Sequence, residues 1–472
     1  MTKLKLTIAT LLLSGFAIAQ KTSQVFESID THLSDYEDIA LEIWNLAEMG
    51  YQEYQSSDLL KARLESEGFS ITTGVADIPT AFVAEYGADG PVIGILGEFD
   101  ALPGLSQKAV PFKESAGAIG GHGCGHHLFG TASLAAAVAL KDWLIKTKTE
   151  GRIRFYGTPA EEGGGAKVYM SRAGLFDDVD VVLHWHPGAA NQANEAAALA
   201  NISGKFRFNG VSAHAAGAPE RGRSALDAVE AMNYMVNMMR EHVPQETRIH
   251  YVITDGGKAP NVVPDFAEVY YYSRHPSREV VRNVFDRIVL AAEGAAKGTE
   301  TTMSYEIVNG VHELLPNQIL QTLVHESLST VGGYTYTAEE RAFAEQISES
   351  LNRELDERIA REVAPYQEAS RAYGSTDVGD VSFVVPTVGF GTATWVPGTS
   401  AHSWQAVAAG GTSIGLKGMA VAAKTLALSG AKLFKNPKII AKARAEFEER
   451  RGADFNYRPL LGNRPPALDY RN

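Results

Sequence analysis

Cysteine is all but missing from this 472-residue chain. Cys124 is its one thiol, so no disulfide can join two parts of the chain. An excess of basic charge is missing too. Lysine and arginine total 43 against 56 acids, a formal charge of −13, and no basic stripe carries interleaved aromatics. That argues against nucleic acid as a partner. Internal repeats and low-complexity tracts are lacking, which removes solenoids and biased linkers from consideration. Beyond the first twenty residues, no stretch reads as long and apolar enough for a membrane span.

What is present begins with those twenty residues. Lys3 and Lys5 precede an apolar run from Leu6 to Ile18, and Ala17-Ile18-Ala19 has the small-x-small form of a cleavage site. This is an export signal in form, with an uncleaved anchor as the alternative. Cleavage after Ala19 removes two lysines and leaves a charge of −15. The expected product is soluble, periplasmic or secreted, and free of the membrane once the signal is gone. A lone thiol there is open to oxidation unless it is buried or bound to something.

The rest is 45% hydrophobic and 21% charged, a globular composition with enough apolar side chain for more than one core. Helical patterns at Val25–Glu48 and Ser57–Glu67 lead into apolar runs at Pro91–Gly97, Arg152–Gly157 and Val179–His184. A helix, Leu128–Lys146, lies between the first two runs. Strands alternating with helices predict a mainly parallel α/β sheet. The rhythm then changes. Gly204–Asn209, Arg223–Val243, Arg248–Thr254, Phe266–Ser273, Arg278–Lys297 and Thr302–Val308 read in order as βαββαβ, the ferredoxin-like plan. The division expected is a signal at 1–19, a first α/β part at 20–200, an inserted βαββαβ unit at 201–312, and a second α/β part at 313–472. That last part should hold a long charged helix over Ala338–Val363, a strand near Thr387–Phe390, a helix near Gly415–Leu428, and an extended surface tail.

Four clusters carry the chemistry. Gly97-Glu98-Phe99-Asp100-Ala101-Leu102-Pro103 follows one strand, and Gly121-His122-Gly123-Cys124-Gly125-His126-His127 opens a helix. Thr158-Pro159-Ala160-Glu161-Glu162-Gly163-Gly164-Gly165 and His184-Trp185-His186-Pro187 follow two further strands. Open α/β sheets bind ligands beyond the carboxyl ends of their strands, and independent structural histidines have no reason to gather there. Thiolate and imidazole suit zinc or a similar divalent metal. Two adjacent carboxylates repel and are best tolerated where a cation neutralises one. His184 and His186 stand two apart, on one face of an extended strand, and at most one need be a ligand. A metal-activated water is the mechanism this composition suggests, with one glutamate of the pair as general base and the other on metal.

At these motifs the sequence resembles the aminoacylase/carboxypeptidase-type metallo-amidohydrolases. It is most similar to the branch holding proteins like the B-type subunit of aminobenzoyl-glutamate hydrolase and the amino-acid-conjugate amidohydrolases. The resemblance implies a metal-binding α/β domain interrupted by a ferredoxin-like lid, also used for homodimerisation. It further implies two divalent ions, manganese or zinc, held by Cys124, His126, Glu162, His184 and His402, with Glu161 as general base. His214, in Val211-Ser212-Ala213-His214, matches a lid histidine that stabilises the oxyanion, often in the partner subunit's site. Asn261 and Arg274 match positions that meet the substrate. Asp100 and His127 are expected to support the ligands, though His127 stands where Asp or Asn is usual and could itself bind metal. The expected activity is cleavage of a small-molecule amide, an N-acyl or N-aroyl amino acid. A dipeptidase or aminopeptidase is the alternative within the class, and a catalytically dead binding protein the alternative outside it.

Overall fold

The computed structural model describes residues 24–194, 197–368 and 374–471, so the expected export signal lies outside the described residues. Helices α1 (Leu33–Leu46) and α2 (Tyr54–Ser66) precede strands β1 (Ser70–Thr73), β2 (Phe82–Tyr86) and β3 (Val92–Gly97). Then come α3 (His126–Thr147), β4 (Arg152–Gly157), α4 (Ala166–Arg172) and β5 (Val181–Leu183). Much later β6 (Thr387–Val388) completes a six-stranded sheet of order β1-β2-β4-β3-β5-β6. Pairing is parallel from β4 through β6 and antiparallel at the β1–β2 edge. Every residue of β3 is buried, as expected for a parallel strand covered on both faces. Its carboxyl end, with those of β4 and β5, therefore opens on one edge of the sheet.

The helix α3 corrects one expectation, since it is long and apolar enough to cross a membrane by length and composition. Nearly all of it is instead buried in the protein, against α1, the sheet and the long helix Ser413–Lys435. A helix apolar on all sides belongs in a core as readily as in a bilayer.

Residues 200–311 form a second sheet with its own apolar core. Strands Ala200–Asn209, Arg248–Asp255, Phe266–His275 and Thr302–Val311 pair antiparallel, in the spatial order second-third-first-fourth. That is the split βαβ arrangement. Burial alternates strictly along Phe266–His275, and its buried side packs on helices Ala225–Met239 and Arg278–Gly298. Ser224 caps the first of these through the Asp227 N–H.

The expected helix Ala338–Val363 is broken. It is capped by a Thr337–Glu340 box and stops at Ser350. Asn352 turns left-handed at φ 53° and the Arg353 N–H returns to the Ser348 carbonyl. Such a closure ends a helix whatever charges follow; a single short turn, Arg358–Arg361, comes later.

The tail departs from expectation as well, for Leu460 and Leu461 are buried in two different apolar clusters. It also holds His312, whose Nε2–H donates to the Arg458 carbonyl at 3.1 Å. Burial, then the Arg278 charge, push the His312 imidazole down to about 4. An unfolded histidine titrates near ~6.5, so between the two values the unfolded chain binds more protons. Stability should therefore fall as pH drops through that window, by up to ~1.4 kcal/mol per pH unit from this group. Urea midpoints of metal-free protein at pH 7, 6 and 5 should show a shallower dependence in His312→Asn than in wild type.

Candidate metal centre

Five chain segments converge beyond the carboxyl ends of β3, β4 and β5. The turn into α3 exists because Gly125 sits at φ 76°, where a side-chain carbon would lie 2.7 Å from Pro187. No larger residue fits between Cys124 and His126 without moving that loop. After β4, Ala160 is held left-handed at φ 55°, a strained choice for a residue with a Cβ. The loop over-determines it: the Ala160 N–H donates to the buried Glu53 carboxylate at 2.8 Å, and its carbonyl accepts from Gly164 and Gly165. Glu161 and Glu162 are thereby aimed at the same space as Cys124. His402, in the loop before a short helix, also has a left-handed backbone, at φ 60°.

The donors fall into three overlapping triplets, each with its ligand atoms within 4.8 Å of one another. They are Cys124–His126–His186, Cys124–Glu162–His402 and Glu98–His126–Glu161. Cys124 Sγ lies 3.4 Å from His186 Nε2, and His402 Nε2 lies 3.1 Å from Glu162 Oε1. Asp100 ties two ligand candidates together, with one carboxylate oxygen 2.8 Å from His126 Nδ1 and the other accepting the Glu162 N–H at 2.9 Å. A carboxylate on the far ring nitrogen fixes the tautomer and turns Nε2 toward the cluster. His126 Nε2 and Glu98 Oε2 face each other, Glu162 Oε1 faces His402 Nε2, and His184 Nε2, which lines the same space, is buried with no hydrogen-bond partner. Converging side chains of sulfur, imidazole and carboxylate type are the ligands that divalent cations take, so the residues present fit a metal site.

The paired glutamates sit in opposite environments. Burial, then Glu98 and Glu162, raise the Glu161 carboxyl well above its ordinary range. Burial also raises Glu162, but the hydrogen bond from His402 and the His126 charge outweigh it and hold Glu162 low. Two carboxylates pushed apart in this way mark one group that holds a proton and one that stays charged. Burial likewise pushes the Cys124 thiol up, so its thiolate depends on a nearby cation.

Beneath the cluster lies a network that the sequence reading missed. Lys167 is fully buried, 2.8 Å from Glu98 and 2.7 Å from Asp377, and its backbone N–H also donates to Asp377. Glu98 in turn reaches His126 Nε2 at 3.0 Å. The partners Lys167 and Asp377 are 210 residues apart, and no local pattern announces such a pair.

Not every expected residue joins the cluster. His184 belongs to none of the triplets, where His186 stands, although it lines the same cavity and its Nε2 is buried without a hydrogen-bond partner. The strand β5 stops at Leu183, Trp185 turns inward to donate to the Phe129 carbonyl, and His186 begins a separate short ladder with Gly391–Ala393. The two histidines therefore do not share one extended face, and His184 packs against Gly389. His127 is also directed elsewhere, 3.1 Å from the Gly410 carbonyl and with its ring 4.8 Å from that of His122. Burial, then His122, hold it neutral.

The cluster opens into a cavity of about 650 Å³. Arg274 lines it, stacked 5.2 Å over the Tyr272 ring and with its Nε unpartnered. His214 and Asn261 do not line it. They sit exposed and side by side in the second sheet's loops, where the Asn261 carbonyl accepts the Ala215 N–H. His214 Nδ1 accepts from the Ala216 and Gly217 N–H groups, which leaves the proton on the outward Nε2.

Comparison with known proteins places these features in context. The family model described as peptidase family M20/M25/M40 matches residues 94–427. An Escherichia coli (strain K12) protein, named as the B-type subunit of p-aminobenzoyl-glutamate hydrolase, is 40% identical over 469 residues, covering 93% of this chain and 98% of that protein. A mouse protein named Xaa-Arg dipeptidase is 29% identical, covering 86% of this chain and 87% of that one. Among solved structures, a Bacillus subtilis protein described as a dinuclear metal-binding peptidase superposes with a TM-score of 0.56 at 17% identity. That match covers 86% of this chain and 99% of the other.

Proposed function

The chain belongs to peptidase family M20/M25/M40 and is an enzyme of its peptidase/amidohydrolase type, and from that premise we propose a metal-dependent amidohydrolase that releases an amino acid from an N-acyl or N-aroyl amide. The observation that carries this reading is the set of overlapping donor triplets at the floor of a cavity whose wall holds Arg274. Cys124, His126, His186, Glu162 and His402 would hold two divalent ions, manganese or zinc, with Glu98 within reach. The ions would supply an acidified water and a polarised carbonyl.

The chain's own residues do the rest. Glu161 takes the proton of the attacking water on a carboxylate oxygen and returns it to the leaving nitrogen. Its raised proton affinity suits it to hold a proton, and bound cations would lower that affinity toward the working range. Asp100 keeps His126 and the Glu162 backbone in register. Arg274 pairs with the carboxylate of the amino-acid portion, a charge-assisted contact in a partly desolvated wall. The second sheet serves as a lid and as a homodimer surface. His214, its Nε2–H free and exposed, would reach the oxyanion of the partner's site together with Asn261. The exposed apolar side chains of Tyr251, Val252 and Ile253 on the edge strand Arg248–Asp255 support that use. The 40% identical relative is named as one subunit of its hydrolase, which supports testing for a different second chain as well. Export through residues 1–19 is part of the same proposal.

The test is metal content together with hydrolysis of N-acyl, N-aroyl and dipeptide substrates by the full chain. Near two ions per chain and cleavage of blocked amino acids are expected; a strict need for a free amino terminus would favour the dipeptidase alternative. Failure to bind manganese or zinc would overturn the reading. Arg274→Ala should lower kcat/KM by about 10- to 100-fold, mostly through KM, as loss of one charged hydrogen bond implies. An unchanged KM would remove Arg274 from the substrate site.

A further inference from the structure

Residues 452–471 do more than cover the surface, because they end inside the cavity. Burial of Leu460 and Leu461 anchors the segment. Arg172 donates to the carbonyls of Gly462 and Arg464, at 3.0 and 2.9 Å. Arg464 in turn donates to the Val308 carbonyl at 2.9 Å and pairs with Glu306 at 3.1 Å. The course this fixes carries Tyr470 edge-on to Tyr51, ring centroids 5.5 Å apart, with its hydroxyl 3.3 Å from the Glu162 carbonyl. Gly50 makes room for that hydroxyl, since a side-chain carbon there would lie 2.1 Å from it.

Arg471 follows. Its guanidinium stacks 4.8 Å over the Tyr470 ring and donates through Nη2 to the same Glu162 carbonyl. Its Nε is buried without a partner. No carboxylate among the described residues pairs with it, yet it lines the cavity beside Glu162, His402 and Arg274. Apart from histidines, Arg274 and Arg471 are the basic side chains of that lining. Two arginines in one cavity, neither paired with a carboxylate among the described residues, suit a molecule with two carboxylates.

We infer that Arg471 is a specificity-determining residue that receives the side-chain carboxylate of an acidic amino acid on the leaving side, while Arg274 receives its α-carboxylate. This rests on the amidohydrolase reading; an N-blocked acidic amino acid is already what the 40% identical relative is named for, and what is added is the residue that selects the second carboxylate. The segment 452–471 then acts as part of the substrate site, and Tyr470 is the positioning residue that orients the guanidinium.

The test compares N-benzoyl-glutamate with N-benzoyl-glutamine, which has the same shape and one charge fewer. Wild type should favour the glutamate compound by tenfold or more in kcat/KM. Arg471→Gln should lower that figure about 10- to 100-fold through KM and leave the glutamine compound within about twofold, so that the preference collapses. Arg471→Lys should restore part of it, and metal content and Tm should stay at wild-type values. An equal loss on both compounds would overturn the proposal and leave Arg471 as a prop for the Glu162 loop; no loss on either would overturn it outright. The same pair measured by equilibrium binding to metal-loaded Glu161→Gln protein keeps the two readings separate. A binding preference abolished by Arg471→Gln supports the site even if no amide is cleaved, in which case the amidohydrolase reading fails instead. No binding preference overturns the site.

Discussion

Glu161→Gln is expected to retain its metal and to lose about 10²- to 10⁴-fold in kcat, the span attributable to one general acid–base. The substitution keeps size and hydrogen-bonding shape while removing the atom that accepts the proton. Its surroundings support this division of labour between neighbours in sequence. Glu161 is crowded by Glu98 and Glu162, so its proton affinity rises, whereas Glu162 is held charged by His402. The matched substitution Glu162→Gln should therefore act differently, lowering metal content as well as rate. Inductively coupled plasma mass spectrometry on both variants, beside steady-state rates from pH 5 to 9, checks the pair. The acid limb of the kcat/KM profile should vanish in Glu161→Gln. Glu161 also belongs to a donor triplet with Glu98 and His126. Loss of one ion in Glu161→Gln would accordingly reassign it as a ligand and end its role as base.

Much of this site was legible because its positions follow local rules. A strand followed by an acidic or glycine-rich turn lands at a known edge of a parallel sheet, which located Asp100, Glu161 and Glu162. Gly125 and the Cys124–His126 spacing marked the helix entrance. That His186 rather than His184 falls in a donor triplet was not legible. It depends on β5 stopping at Leu183 and on Trp185 turning inward to the Phe129 carbonyl, and both are tertiary events. Lys167 reads in sequence as an ordinary first-turn helix lysine. Only the fold delivers Asp377 to it from 210 residues away. The helix expected through Val363 failed at Asn352 for the opposite reason, a local backbone turn that a favourable charge pattern concealed. The tail's Arg, Asn and Pro content suggested a surface wrap, since two adjacent leucines give no sign of the cores they will enter.

Lys167→Met should be the most damaging change away from the metal ligands, because it strands two carboxylates. Burial alone would push the Lys167 ammonium down, but Asp377 and Glu98 reverse that and hold it charged. All three groups are withdrawn from water. Removing one member of a buried ion cluster typically costs about 3–5 kcal/mol, since the remaining charges keep their desolvation penalty and lose their partner. The loss should also depend on pH with a definite sign. Without the ammonium, Glu98 and Asp377 would have folded-state proton affinities raised further above their unfolded values. A raised carboxyl destabilises progressively as pH rises from the unfolded value, near ~4, toward the folded one. The deficit of Lys167→Met relative to wild type should thus be smaller at pH 5 than at pH 8, and urea midpoints of metal-free protein at both values will show it. Lys167→Met/Asp377→Leu removes one stranded charge together with the cation, and it should recover part of the deficit if the two groups act as a pair. A double variant no better than the sum of its parts would mean that Lys167 supports the fold through its methylene packing. Glu98 would then be held in place by something other than the buried ammonium.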